Sequence, residues 1–152
     1  MRRTTPSAGS TFPIELFVAV RENGMEELDA GIYHYLSDGH ALKKLSGKDI
    51  IGDLAGACYN QEFITKAGAS ILVASEESRT TRMYAGRGER YVYMEAGAVM
   101  QNISLEAVEL GLGTVIVGAF DDAAVQELFG LQELKPLGIM PVGYPRDKAF
   151  YA

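Results

Sequence analysis

The chain has 152 residues, 47% of them hydrophobic, and a formal net charge of −6, enough for one core and too few residues for two ordinary domains, so 1–152 reads as a single domain. The acidic balance argues against a phosphate-wrapping surface and against nucleic acid as a partner, which leaves small molecules or proteins. A single cysteine, Cys58, excludes a disulfide framework and a Cys-rich metal centre, and no apolar run reaches the roughly 18–20 residues of a spanning helix, so a cytoplasmic chain with no membrane contact is expected.

The chain opens on a polar stretch, Arg2 to Thr11, which lacks the apolar segment that an export signal needs after Arg2-Arg3. Within it, Pro6-Ser7-Ala8-Gly9 joins a fixed φ, a hydroxyl and two residues with almost no side chain. That combination lets a backbone lie against a flat ligand, and it equally suits an ordinary turn capping the first strand. From Pro13 to Val20, Ile14, Leu16, Val18 and Val20 alternate with Glu15, Phe17 and Ala19, which predicts a half-buried strand. Arg21 to Asp29 reads as loop. Gly31 to Leu36 is a second strand, placed close enough to pair antiparallel with the first, followed by a turn at Ser37-Asp38-Gly39-His40 and a short element from Ala41 to Leu45.

Ile50, Ile51, Leu54, Cys58, Phe63, Ile64 and Ala67 fall at three-and-four spacing with a break at Tyr59-Asn60, predicting two short helices between Ser46 and Lys66. Ala69 to Ala74 is a continuous apolar run of strand length, expected in the middle of a sheet. Glu76 to Gly88 reads as a charged, flexible loop. The longest helix is predicted from about Glu89 to Leu110, with Val92, Ala96, Val99, Met100, Ile103, Ala107 and Leu110 on one stripe and Gly111 at the stop. Gly97 and Ala98 on its other faces leave room for another backbone. Val115 to Gly118 reads as a buried strand, Asp121 or Asp122 as the N-cap of a helix through Phe129 ended by Gly130, and Leu137 to Val142 as a last strand. Strands and helices interleave without the regular alternation of a doubly wound parallel sheet, so the fold class is α+β.

No nucleophile-base pair can be assembled around the only histidines, His34 and His40, and no metal-ligand spacing occurs. The glycines of Gly111-Leu112-Gly113 follow a helix and precede a strand, the reverse of a dinucleotide fingerprint. Arg79, Arg82, Arg87 and Arg90 form a basic segment that reads either as a phosphate contact or as a solvated loop. Arg90, Tyr91 and Tyr93 are candidate proton donors or substrate contacts, and no catalytic residue is assigned.

Arg3-Thr4-Thr5-Pro6-Ser7-Ala8-Gly9 with Phe12-Pro13-Ile14-Glu15-Leu16, Gly31-Ile32-Tyr33-His34-Tyr35, Arg87-Gly88-Glu89-Arg90-Tyr91 with Glu95-Ala96-Gly97 and Gln101-Asn102, Gly111-Leu112-Gly113, and Gly118-Ala119-Phe120-Asp121-Asp122 occur in that order. Together they resemble the flavin-dependent nitroreductase superfamily, and within it the SagB-type dehydrogenases, the branch that includes the azoline oxidases of thiazole and oxazole peptide maturation. The resemblance implies a mostly antiparallel sheet flanked by helices around a long central helix. It also implies a homodimer holding FMN at its interface, and hydride transfer between NAD(P)H or an organic substrate and the flavin.

Carried over residue by residue, Pro6, Ser7, Ala8 and Gly9 would reach FMN from the partner subunit, and Val117, Gly118 and Ala119 would pass beside the isoalloxazine, where a backbone N–H tunes the ring. Arg146 and Lys148 fall roughly where members place cations on the phosphate. Members normally begin with a helical segment bearing an Arg-Arg-Ser-x-Arg-like motif that grips this phosphate, and this chain starts after that place. The expectation is that Arg2 and Arg3, or the segment from Arg79 to Arg90, take over the grip, or that it is lost. Loss would make the chain a shortened, dimeric binding or partner subunit without redox activity.

Overall fold

A computed structural model describes residues 3–145; Arg2, Arg146 and Lys148 lie outside them. Strand β1 (Ile14–Val20) runs antiparallel to β2 (Gly31–Leu36) on one side and to β4 (Ala69–Ser75) on the other. Its alternation divides the chain's apolar surface between the two faces of a sheet. Phe17 and Ala19 point with Leu72 and Ala74 to one face, whereas Ile14 and Leu16 accompany Val73 and Met140 on the other. A six-stranded sheet, in the order β3-β2-β1-β4-β6-β5 and antiparallel at every pairing, results from adding β3 (Ala41–Ser46), β5 (Gly113–Thr114) and β6 (Lys135–Gly143).

Each face is covered by helices from a different part of the chain. Helices α1 (Ile51–Ala57), α2 (Phe63–Lys66) and α5 (Asp122–Phe129) close the first face, with Ile51, Leu54, Ile64, Val125 and Phe129 in the main core. The second face carries the 22-residue helix α4 (Gly88–Glu109), which buries Ala96 and Met100 on Val73 and Met140. Fully burying a valine or methionine side chain of this kind contributes about 1.5–3 kcal/mol. The sequence signals at the helix ends are honoured. Asp121 accepts from the Ala124 N–H at 3.0 Å as N-cap of α5, Gly130 closes that helix at φ 66°, and Tyr59 and Asn60 break α1 from α2 at φ 55° and 61°.

Two predicted segments differ. Glu76 to Gly88 is mostly ordered helix: α3 (Ser78–Tyr84) and a 3₁₀ turn over Ala85–Arg87. Its charges looked like solvated loop, but they are paired with other elements, and Thr80 inside it is 1% exposed. The expected strand Val115 to Gly118 is not one. Only Val117 bridges to Ile139, and Val115 and Ile116 stand 49% and 50% exposed. A continuous apolar run signals burial, and here this chain's own core supplies it only at Val117. Leu110, expected on the buried stripe of α4, is instead the residue that caps its C-terminus and is 61% exposed.

Candidate functional site

The polar segment ahead of β1 is held down by hydrogen bonds. Ser7 precedes a 3₁₀ turn over Ala8–Ser10, its Oγ accepts the Phe12 N–H at 2.9 Å, and its carbonyl accepts the Ser10 N–H at 3.1 Å. Thr11 donates to the Ala8 carbonyl at 3.0 Å and meets the Thr80 hydroxyl at 2.8 Å, while Arg79 donates to the Phe12 carbonyl at 2.9 Å. The turn requires left-handed backbone at Gly9, with φ 57°, where a Cβ would also lie 2.6 Å from Met83 Sδ and 2.7 Å from Tyr84 Oη. Glycine is therefore demanded both by dihedral and by space.

Helix α4 grips the same segment at two places. Asn102 Nδ2 donates to the hydroxyls of Thr5 at 2.9 Å and Thr4 at 3.2 Å. One helical face and two turns nearer the N-terminus, Glu95 is only 6% exposed, with its carboxylate hydrogen-bonded to Ser7 and facing the Arg3 guanidinium. Burial pushes the Glu95 carboxyl above the ordinary value, and Ser7 and Arg3 only partly offset this by favouring the charged form. Arg3 itself lies 4.1 Å over the Phe12 ring and donates to Ser37 Oγ at 2.8 Å.

Between this segment, β1, α3 and α4 lies a cavity of about 340 Å³ with Arg3, Glu15, Tyr35, Arg79, Glu95 and Asn102 among its walls. Its charges are cross-paired. Glu15 bonds Arg79 at 2.6 Å and His34 at 2.8 Å, and Arg79 also bonds Glu76 at 2.7 Å. Burial acts to lower the Arg79 pKa, but Glu15 and then Glu76 outweigh it and hold the guanidinium above its usual range. A larger concavity, about 1070 Å³ and open to solvent, lies between β3, α1 and α5 and contains none of the expected site residues. Size alone does not mark the site.

The structure brings Arg3 and Ser7 together on α4, with Pro6 and Gly9 exposed on the outer side of the loop and Ala8 half-buried. It does not bring Val117, Gly118 and Ala119 to them. Val117, 4% exposed, packs in the core under α1 and α5, while Gly118 and Ala119 are exposed at the surface. A Cβ added at Gly118 would meet no atom within 4 Å, so the backbone there is open to a flat approach. Arg79, from the basic segment, is consumed by Glu15 and Glu76, and Arg82, Arg87 and Arg90 are exposed. Tyr93 is a strut: its hydroxyl donates to Glu89 and accepts from Lys135, both at 2.7 Å. Tyr91 stacks edge-on against Tyr84. The histidines serve locally, His34 on Phe17 and Glu15, His40 on Tyr35.

Glu95 and Asn102 stand out in the structure and were not singled out as site residues from the sequence. The available signal was two polar residues interrupting the α4 stripe at a spacing that puts both on one face. Among the described residues no cluster of His, Cys, Asp and Glu is arranged to hold a metal ion, and no helix is long and apolar enough to cross a membrane.

A glycine-turned loop clamped to a central helix, set beside an antiparallel sheet between two helical layers, defines an α+β scaffold of known type. The family model described as "Nitroreductase family" matches residues 2–144, and the chain belongs to that family. A protein of Methanocaldococcus jannaschii designated a nitroreductase is 44% identical over 142 residues, covering 93% of this chain and 70% of the relative. The Microcin B17-processing protein McbC of Escherichia coli is 28% identical over 138 residues, covering 88% of this chain and 50% of McbC. In the structure of the E. coli microcin synthetase McbBCD complex with truncated pro-MccB17 bound, one chain superposes with a TM-score of 0.87 at 26% identity. That match covers 97% of this chain and 57% of the other. The chain thus spans about half the length of McbC.

Proposed function

We propose that this chain forms, as a single domain paired with a second copy, an FMN-dependent oxidoreductase that moves hydride between NAD(P)H or an organic substrate and the flavin. The observation that carries this reading is the separation of two half-sites. One is the loop from Arg3 to Phe12, ordered on α4 with Pro6 and Gly9 facing outward. The other is the segment from Val115 to Ala119, which exposes two large apolar side chains beside an open glycine. The two halves do not meet within one chain, and a second copy supplies to each the half it lacks.

The residues present fit FMN. Arg3 and the Thr4 and Thr5 hydroxyls offer a cation and donors of the kind a phosphate and a ribityl chain need, and the backbone from Val117 to Ala119 is uncluttered enough for an isoalloxazine face. Arg2, Arg146 and Lys148 belong to the same proposal as phosphate cations. FMN, when bound, supplies the electron chemistry. The chain's own part is to orient the ring between Pro6-Ser7-Ala8-Gly9 of one copy and the Val117 to Ala119 backbone of the other, and to exclude water with Val115 and Ile116. No side-chain acid or base is needed for a hydride step. The similarity to McbC supports placing the chain near the azoline-forming dehydrogenases, with a heterocycle-bearing peptide as the organic substrate.

A second reading, a dimeric partner subunit without redox activity, is favoured by one observation: Arg3 already has the Phe12 ring, Ser37 and Glu95 as partners. An absorption spectrum of the purified protein followed by FMN titration separates the two. Flavin bands bleached by NAD(P)H are expected. Colourless protein that takes up no added FMN refutes the first reading and leaves the second.

A further inference from the structure

We infer that Glu95 is a positioning residue whose carboxylate clamps the loop from Arg3 to Phe12 through Ser7 and Arg3, so that α4 sets the shape of the surface which Pro6 and Gly9 present. This rests on the oxidoreductase reading only for what that surface meets; the clamp itself stands on the chain's own contacts.

A carboxylate 6% exposed gives up most of its hydration, and an apolar side chain on the same turn of α4 would pack without that penalty. A charge kept at such a position has to be answered by partners. Those present are the Ser7 hydroxyl and the Arg3 guanidinium, both on the loop, while Asn102 on the same helical face takes Thr4 and Thr5. Glu15 and Arg79, the other charged groups on the cavity wall, are spent on each other at 2.6 Å. Glu95 is therefore directed at the loop.

The hydrogen-bond polarity makes the clamp directional. A carboxylate only accepts, so the Ser7 hydroxyl must give its proton to Glu95, which turns its oxygen lone pairs toward the Phe12 N–H, 2.9 Å away. Residues 7 and 12 are thereby cinched across the 3₁₀ turn between them. On the other side the Arg3 guanidinium, which lies over the Phe12 ring at 4.1 Å, sits in the favourable field of the same carboxylate. Residues at both ends of the turn thus answer to one side chain of α4. The Ser7–Glu95 bond is charge-assisted and about twice as strong as a neutral one.

The test is amide hydrogen exchange of the full chain by NMR at one pH, read at Phe12 and, for global stability, at Ile139, whose N–H bonds Val117 in the sheet. Glu95→Ala should speed Phe12 exchange by about tenfold relative to Ile139, the opening expected when a charge-assisted bond is lost. Glu95→Gln, whose amide oxygen still accepts from Ser7, should restore most of the protection, and Ser7→Ala should match Glu95→Ala. Adding Ser7→Ala to Glu95→Ala should change nothing further, because the two act as one unit. Phe12 exchange unchanged in Ser7→Ala, or in a folded Glu95→Ala, overturns the clamp. In parallel, FMN titration followed by flavin fluorescence should show weaker binding in Glu95→Ala. If the wild-type chain binds no FMN, the proposed function fails while the exchange data still decide this inference.

Discussion

The loop from Arg3 to Phe12 and the segment from Gly113 to Ala119 are both irregular, glycine-bearing stretches, yet they are ordered in opposite ways. Hydrogen bonds hold the loop: Ser7, Thr4, Thr5 and Thr11 all have partners on other elements or across the turn, and its large apolar side chain, Phe12, lies under a guanidinium. The second segment hangs from β6 by the short β5 pairing and the Val117 to Ile139 bridge, with Val115 and Ile116 turned outward. Polar contacts satisfied within the chain make the loop a finished surface. An apolar segment left exposed is unfinished and gains by being covered, which is the physical content of the proposed pairing of two copies.

The largest effect expected from breaking this contrast is at Val117. Val117→Ala should cost about 2 kcal/mol of unfolding free energy through lost burial and the space left behind. Ile116→Ala, half exposed in one chain, should leave unfolding at low protein concentration nearly unchanged and instead weaken self-association in sedimentation. Equal loss of stability from both substitutions would erase the distinction between tethered and exposed residues. A smaller effect is expected at Gly9. Gly9→Ala forces a side chain into left-handed backbone at about 1–2 kcal/mol, measured by denaturant unfolding, and displaces Met83 and Tyr84. Should the variant be as stable as the parent, the loop is looser than its hydrogen bonds indicate.

The smallest is a pH dependence at Glu95. Burial raises its carboxyl above 4.5, so the folded chain holds that proton more tightly than the unfolded chain. Its contribution to stability is complete below the ordinary carboxylate value and is lost as pH rises through the raised one. The stability of the wild type minus that of Glu95→Gln should therefore fall as pH increases from 4.5, in a series of unfolding curves. A difference that stays level across that range would mean Glu95 is not desolvated. The sign is opposite to that of a surface carboxylate such as Glu62, lowered by Lys66 four residues along its helix. A charge that costs stability while shaping a loop is the pattern expected of a site rather than of a core.

Much of the architecture was legible in residue order. The alternation from Ile14 to Val20, the continuous run from Ala69 to Ala74, Asp121 ahead of α5 and the glycines at 111 and 130 each report a local requirement that survives folding. The glycine demand of the Pro6-Ser7-Ala8-Gly9 bend was legible too, although the sequence left open whether a ligand or a mere strand cap imposed it. What could not be read was pairing at a distance. Arg79 looked like a member of a basic run, and only the approach of β1 to α3 brings it onto Glu15. Glu95 and Asn102 looked like ordinary polar positions on a helix until the loop came to lie across them.

The sequence by itself determined most of the elements and the α+β class, because periodicity, caps and backbone-constrained glycines act within a few residues of where they stand, and its ordered motifs carried the resemblance to the family. Tertiary structure alone decided that the apolar run at Val115 and Ile116 stays outside the sheet, that the charged stretch after β4 is helical, and that one buried carboxylate on α4 faces the opening loop. Those outcomes depend on which groups meet across the sheet and how much water is left between them, and no local pattern encodes either.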